Sequence, residues 1–272
     1  RSPMLFTLEA LDASEGECLL LAYGTAAEPR LIAFDEGPAR TCDQALIPRL
    51  LQLRTRLGIE EGEVLPIELW VVTHVDEDHI DGVVSLFERM RTARTDGEPQ
   101  LVKVKEMWHN GFDDLIGTDE VTSAIKYLNA LPGTLPSGRG MVASIAQGRA
   151  LLDAARLFGV EVNSGFEKLV ARPDDAGVVV PFGAGLTLTV IGPARKELGL
   201  YQKKWNADLT DGKKEGRVAS ARLDKNAFNL ASIAVLAEVG GRTMLLTGDA
   251  GGAPLLEGLE AAGRLSADGR MK

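Results

Sequence analysis

The stretch 69-LWVVTHVDEDHIDG-82 passes from an unbroken apolar run into a loop crowded with metal-binding side chains. The apolar part reads as a strand covered on both faces, the pattern of strands inside a parallel sheet. The loop then brings His74, Asp76, Asp78, His79 and Asp81 together just past the strand end. The chain has 3 histidines, so finding two of them here concentrates the scarcest ligand type at one point. Imidazole nitrogens and carboxylate oxygens suit Zn, Mn or Fe. His74 and Asp76 address one locus, Asp78 and His79 a neighbouring one. Two adjacent loci would make a two-metal site that activates water, polarises a scissile group and holds the leaving oxygen. The same residues also fit a polar loop whose histidines are merely hydrogen-bonded.

On the N-terminal side, 4-MLFTLEA-10, 17-ECLLLAYG-24 and 29-PRLIAFDEG-37 read as short strands separated by Gly, Asp, Ser and Pro turns. Residues 39–58 read as a helix, with Leu46, Leu50, Leu53 and Leu57 on one face. On the C-terminal side, 82–94 reads as a helix, 101–108 as a strand, 118–131 as a helix, 132–140 as a loop and 144–159 as a helix. The segment 177-GVVVPFGAGLTLTVIGP-193 suggests a strand pair bent at its glycines. A helix is expected over 194–209 and a polar stretch outside the core over 211–220. Then 229-NLASIAVLAEVGGRTMLLTGDA-250 gives a strand, a Gly-Gly turn, a second strand and an acidic loop, before a helix at 253–263. With no linker and no repeat, this order fits one α/β domain over residues 1–272, two sheets with helices outside.

Hydrophobic residues make up 45% of the 272, enough for a core of that size. The net charge is −9, and no basic patch is evident, which counts against a large nucleic-acid footprint. It leaves room for a small phosphate-bearing substrate. Bound divalent cations would offset part of the acidity. Cys18 and Cys42 are isolated thiols, a usage that fits a reducing, cytoplasmic compartment, although a disulfide between them is compatible with the sequence. No secretory leader pattern and no membrane-length apolar run is visible. The chain closes at 269-GRMK-272, soon after its last motif, so truncation at this end is expected.

Other positions extend the constellation. Asp249, in 245-LLTGDA-250, is placed to bridge two metals, though Gly-Asp after a strand is often only a turn. His109 follows the next strand and reads as a third imidazole ligand, a substrate contact, or a cap of the turn 109-HNG-111. Asp35 reads as a carboxylate orienting a ligand histidine, or as part of an ordinary turn. Asp81 reads as a helix cap and Gly82 as a point of close helix approach. Asn229 and Ser232 are candidates for substrate contact or pocket support. No phosphate-binding loop, H-E-x-x-H or G-x-S-x-G motif occurs.

Taken together, T-H-x-D-x-D-H-x-x-G after an apolar strand and L-L-T-G-D-A near the end resemble the metallo-β-lactamase superfamily. The resemblance runs over about residues 4–250. It is nearest to the branch containing the soluble hydrolase domain of the bacterial DNA-uptake channel ComEC. It implies an αββα sandwich of two mixed sheets with outer helices. It also implies His74, Asp76, Asp78, His79 and Asp249 as ligands of two divalent metals, Zn or Mn. Asp78 would orient or deprotonate the attacking water, and Asp249 would bridge. Asp76 stands where the usual motif has a histidine, as that branch commonly has it. The third-motif histidine normally falls later than His109, and the final-motif histidine does not occur.

The expectation is therefore a metal-dependent hydrolase, first a phosphodiesterase or nuclease. The alternatives are a hydrolase of small-molecule esters, thioesters or amides, and a non-catalytic binding protein with an incomplete metal site.

Overall fold

The computed structural model describes residues 4–60, 62–130, 136–215, 229–266 and 268–272. Two sheets face each other. The first has six strands: β1 (Met4–Ala10), β2 (Leu19–Thr25), β3 (Pro29–Phe34), β4 (Leu65–Val72), β5 (Val102–His109) and β6 (Glu161–Val162), paired in that order. β1, β2 and β3 are antiparallel neighbours; β3 to β6 run parallel. The second sheet has four strands, β7 (Val178–Gly183), β8 (Leu186–Gly192), β9 (Ala234–Val239) and β10 (Arg242–Leu246), in the order β10-β9-β8-β7.

Only the first sheet is mixed, which corrects the expectation of two mixed sheets. The cause is connectivity. Two-residue turns at Ala184-Gly185 and Gly240-Gly241, all four residues at positive φ, fold β7–β8 and β9–β10 into hairpins. β9 then pairs antiparallel with β8, so nothing in this sheet is parallel.

The apolar run of β4 shows why it lacks polar alternation. Leu69 and Val71 face the second sheet, packing with Ile32, Phe34, Leu188, Val190, Val235 and Ala237. Trp70 and Val72 face the helices on the other side. All four are fully buried, and each stabilises the fold by about 1.5–3 kcal/mol relative to exposure.

The helical layer over the first sheet comprises α1 (Ala39–Thr41), a π-helical turn at Cys42–Leu46, α2 (Ile47–Arg56), α3 (Glu77–Asp96) and α6 (Pro136–Leu157). A smaller cap is formed by α4 (Phe112–Ile116), α5 (Thr118–Ala130) and α7 (Arg195–Glu215), through Phe112, Val121, Tyr201 and Trp205. On the second sheet, α8 (Gly252–Ala261) lays Leu259 on Ile191, Ala234 and Leu236. Its Gly258 sits so close to the sheet that a Cβ there would lie 1.9 Å from the Ile191 carbonyl oxygen. Helix, sheet, sheet, helix is thus the order of layers.

Local departures from the sequence reading have simple causes. The helix expected over 39–58 is broken by the π turn, because Pro48 has no N–H to continue the regular ladder. The loop expected over 132–140 is already helical from Pro136, a residue well suited to a first helical turn; 132–135 lie outside the described residues. Residues 211–215 continue α7, and 216–220 lie outside the described residues. Asp81 is inside α3 rather than at its cap, which is Asp76. Among the described residues no helix is long and apolar enough to cross a membrane.

Candidate metal centre

The strand ends that matter meet at one edge of the sandwich. β3 ends into Asp35, β4 into Thr73 and His74, and β10 into Gly248 and Asp249. The first turn of α3 supplies His79. A main-chain bond from Ile233 N to Thr73 O, 2.9 Å, fastens the lead-in to β9 onto the same edge.

Asp35 organises the group. It is buried and held at φ 48, a left-handed conformation rare for a residue with a Cβ. Its Oδ1 accepts the Thr73 N–H at 2.7 Å, and its Oδ2 accepts the Thr73 hydroxyl at 2.7 Å and His79 Nδ1 at 2.8 Å. The tautomers follow. The Thr73 hydroxyl has spent its one proton on Asp35, so toward His74 Nδ1, 3.0 Å away, it accepts. In their neutral form both histidines therefore carry their proton on Nδ1 and turn an Nε2 lone pair the other way.

Both lone pairs meet Asp249. His74 Nε2 is 3.7 Å from Asp249 Oδ2, and His79 Nε2 is 3.6 Å from Asp249 Oδ1. Asp76 Oδ2 is 3.8 Å from His74 Nε2. These gaps are too long for hydrogen bonds. They lie at or slightly above the roughly 3.3–3.6 Å between two ligands that each lie 2.0–2.2 Å from a shared tetrahedral ion. His74, His79 and Asp249 offer ligand atoms all within 4.8 Å of one another, and the two rings are 4.1 Å apart. His74 Nε2 is buried without a hydrogen-bond partner. Asp249 is 42% exposed while both imidazoles are 1% exposed, so the group opens to solvent at Asp249.

Without a cation, protons do the compensating. Burial alone would lower the His79 pKa, but the Asp35 hydrogen bond and the charges of Asp35, Asp249 and Asp78 outweigh it and raise the value to about 9.

Asp249 is positioned from behind. Ser232, also buried, accepts the Asp249 N–H at 3.1 Å. Gly248, at φ 47, leaves no room for a side chain: a Cβ would lie 2.5 Å from Ser232 Oγ and 2.8 Å from Thr73 Cβ. Asn229 is half-buried, and its carbonyl accepts the Ser232 N–H at 3.3 Å. Gly82 brings α3 against the residue after Asp35, since a Cβ there would be 2.5 Å from the Glu36 carbonyl oxygen.

Asp78 is half-buried in the first turn of α3 and stands outside the tight trio, although its charge acts on His79. His109 is fully buried at the end of β5, in register with Val72. Asn163 clamps its main chain from both sides, accepting the His109 N–H at 2.9 Å and donating to its carbonyl at 2.8 Å. Neither ring nitrogen makes a well-formed hydrogen bond. Burial pushes its pKa down to about 4, only partly offset by the Val72 backbone and the Asp35 charge. His109 is thus a neutral imidazole outside the tight trio.

Glu17 is the residue near this group that sequence reading passed over. In the sequence it reads as the start of a strand at 17–24, but β2 begins at Leu19 and Glu17 lies in the connection before it, where the charges of Asp35, His79, Asp249 and His74 act on its carboxyl.

Neither protein-family models nor curated proteins give a match to this sequence. Two lone pairs converging on one carboxylate repel one another unless a cation or protons lie between them. The nitrogen and oxygen donors fit Zn or Mn.

Proposed function

We propose that this chain is a metal-dependent hydrolase with two divalent-cation positions, acting on phosphodiesters. The observation that carries the proposal is the pair of gaps at Asp249, whose two oxygens face the Nε2 atoms of two buried histidines at cation-sharing distance. In this reading His74 and Asp76 would hold one cation, His79 and Asp78 would hold the other, and Asp249 would contribute to both. His109 is a spare neutral imidazole for the first position. Bound divalent cations supply a water acidified toward neutral pH and positive charge at the scissile group.

The protein's own residues do the rest. Asp35 fixes the Nδ1–H tautomer of His79, and Thr73 passes the same constraint to His74. Asp78 takes the proton of the attacking water on its carboxylate. As the new P–O bond forms, the bond to the leaving alcohol breaks and the alcohol oxygen regains a proton. The exposed side of Asp249 is where substrate enters.

The layered architecture and the strand-end T-H-x-D-x-D-H loop support placing the chain in the metallo-β-lactamase superfamily. The likeness to its DNA-uptake branch favours phosphodiesters. The net charge of −9 favours small ones over long nucleic acids. That acidity also favours, as a second reading, an uncharged ester, thioester or amide. Turnover of bis-p-nitrophenyl phosphate against p-nitrophenyl acetate, with Mn or Zn added, separates the two. The proposal expects the phosphodiester to be the better substrate and Asp78→Asn to lose most of that turnover. Equal turnover in the variant would remove Asp78 from the mechanism.

A further inference from the structure

The connection between β1 and β2 lies against the first turn of α3. Gly16, at φ 70, approaches so closely that a Cβ there would be 1.7 Å from the Asp78 carbonyl oxygen and 3.1 Å from Asp78 Cβ. The Cα hydrogen in that place therefore points at the oxygen, a weak C–H···O contact. The helix is tied outward at the same point. A regular α-helix aims the N–H of residue 82 at the carbonyl of residue 78. Here Gly82 N makes a 2.9 Å bond to Gly37 O.

Two further glycines complete a clasp. Gly37, at φ 68, follows Asp35 by two residues. A Cβ there would lie 2.8 Å from Ala13 Cβ and 2.9 Å from Thr41 Oγ1, and the Thr41 hydroxyl donates to Ala13 O at 3.4 Å. Gly82 packs on Glu36, whose N–H donates to His79 O at 3.1 Å. Leu11 N donates to Cys18 O at 2.9 Å and closes the connection at its base. The clasp thus joins the β1–β2 connection, the residues after Asp35 and the turn of α3 that carries His79. At the centre, His79 is held by Asp35 at 2.8 Å and its Nε2 stands 3.6 Å from Asp249. His74 comes from the loop after β4 rather than from the helix.

We propose that Gly16 is a positioning residue of this centre: seated on the Asp78 carbonyl, it sets the first turn of α3, and with it His79, against Asp35 and Asp249. The proposal rests on the metal-centre reading above. A side chain at Gly16 would meet main chain, which cannot swing aside as the end of a long side chain can. The connection and the helix would have to part by about 1 Å or more to reach ordinary contact. A misplacement of about 1 Å near a reacting centre costs up to about 100-fold in rate.

The test compares Gly16→Ala with Gly97→Ala in the full chain. Gly97 caps the far end of α3 at φ 74, and a Cβ there meets nothing within 4 Å. Both variants carry the strain of a side chain at positive φ, but only Gly16→Ala displaces the first turn. Each is titrated with Mn by calorimetry after chelator treatment, and its turnover of bis-p-nitrophenyl phosphate is split into kcat and KM. Wild type and Gly97→Ala are expected to bind two cations alike and to share one kcat. Gly16→Ala should bind one cation as the wild type does and the other at least about 10-fold more weakly. Its kcat should fall about 10- to 100-fold with KM little changed. Ala13→Gly loosens the clasp without adding volume and should show the same pattern more weakly; it carries the test if Gly16→Ala does not fold. Wild-type cation binding and kcat in the variant that carries the test would overturn this inference alone. So would equal weakening of both cations, or the same losses in Gly97→Ala, since the connection would then serve stability only. A wild type that binds no cation would overturn the metal-centre reading itself.

Discussion

His79 donates from Nδ1 to Asp35 Oδ2 at 2.8 Å, and this buried bond decides that Nε2 is the nitrogen facing Asp249. A carboxylate that holds an imidazole in one tautomer also raises its strength as a ligand. The centre is therefore built from below: Asp35 orders Thr73 and His79, and these order the lone pairs.

Removing that carboxylate should damage both fold and site. Asp35→Ala leaves the Thr73 N–H, the Thr73 hydroxyl and His79 Nδ1 without their acceptor. A loss of about 3–5 kcal/mol is expected, as for other buried pairs broken on one side. Urea unfolding reads it. Asp35→Asn keeps the volume and should cost less stability, yet weaken Mn or Zn binding by about 10-fold or more. Wild-type metal affinity in Asp35→Asn would mean that Asp35 serves the fold alone.

The metal-free protein should lose stability in alkali. The His79 pKa is raised to about 9 from its ordinary 6.5. A group raised on folding contributes stability that is fully present below about pH 6.5 and lost as the pH rises through about 9. Chelator-treated protein should therefore unfold at lower urea at pH 9.5 than at pH 6.5, and His79→Gln should flatten the difference. A cation must displace the same proton, so metal affinity should tighten as the pH rises toward 9. Identical pH profiles for wild type and His79→Gln would rule this out.

Much of this was legible in sequence, and the reason is local. The run Leu69–Val72 is buried on both faces, so its apolar continuity announced a central strand, and the polar loop behind it had to lie at a strand end. Asp249 was marked in the same way, by a strand followed by Gly-Asp. The approach of the β1–β2 connection to α3, where Gly16 packs on Asp78, was not, because it depends on how the two elements meet in space. The β8–β9 pairing that joins the two legible hairpins of the second sheet was equally hidden, since composition does not encode strand order. α4 and β6 span five and two residues, too short to show any periodicity.

Two glycines with equally tight surroundings should behave differently. Gly248→Ala would press its methyl group on Ser232 and Thr73 and displace Asp249, so metal affinity should fall together with stability. Gly258→Ala would push α8 off Ile191, away from the centre, so stability should fall by about 1–3 kcal/mol, the cost of overpacking, with metal affinity unchanged. Paired melting and Mn titration of the two variants check this. Equal effects on affinity would mean that the Ser232–Asp249 contact does not position the carboxylate.

Cys18 and Cys42 are free and buried, and burial, reinforced by the nearby Glu36 carboxyl, pushes both thiols well above their ordinary range. Ellman's reagent should find neither in the native protein and both after unfolding in urea. Rapid modification of the native chain would contradict this packing.

The central claim is that Asp249 bridges two cations held by His74 and His79. Anomalous diffraction from crystals grown with Zn, collected on both sides of its absorption edge, tests it most directly. The account predicts two peaks roughly 3.5–4 Å apart. Each should lie about 2.0–2.2 Å from the Nε2 of one histidine and from one oxygen of Asp249. No peak at Asp249 in a crystal saturated with Zn, or a peak bound only elsewhere on the molecule, would contradict it.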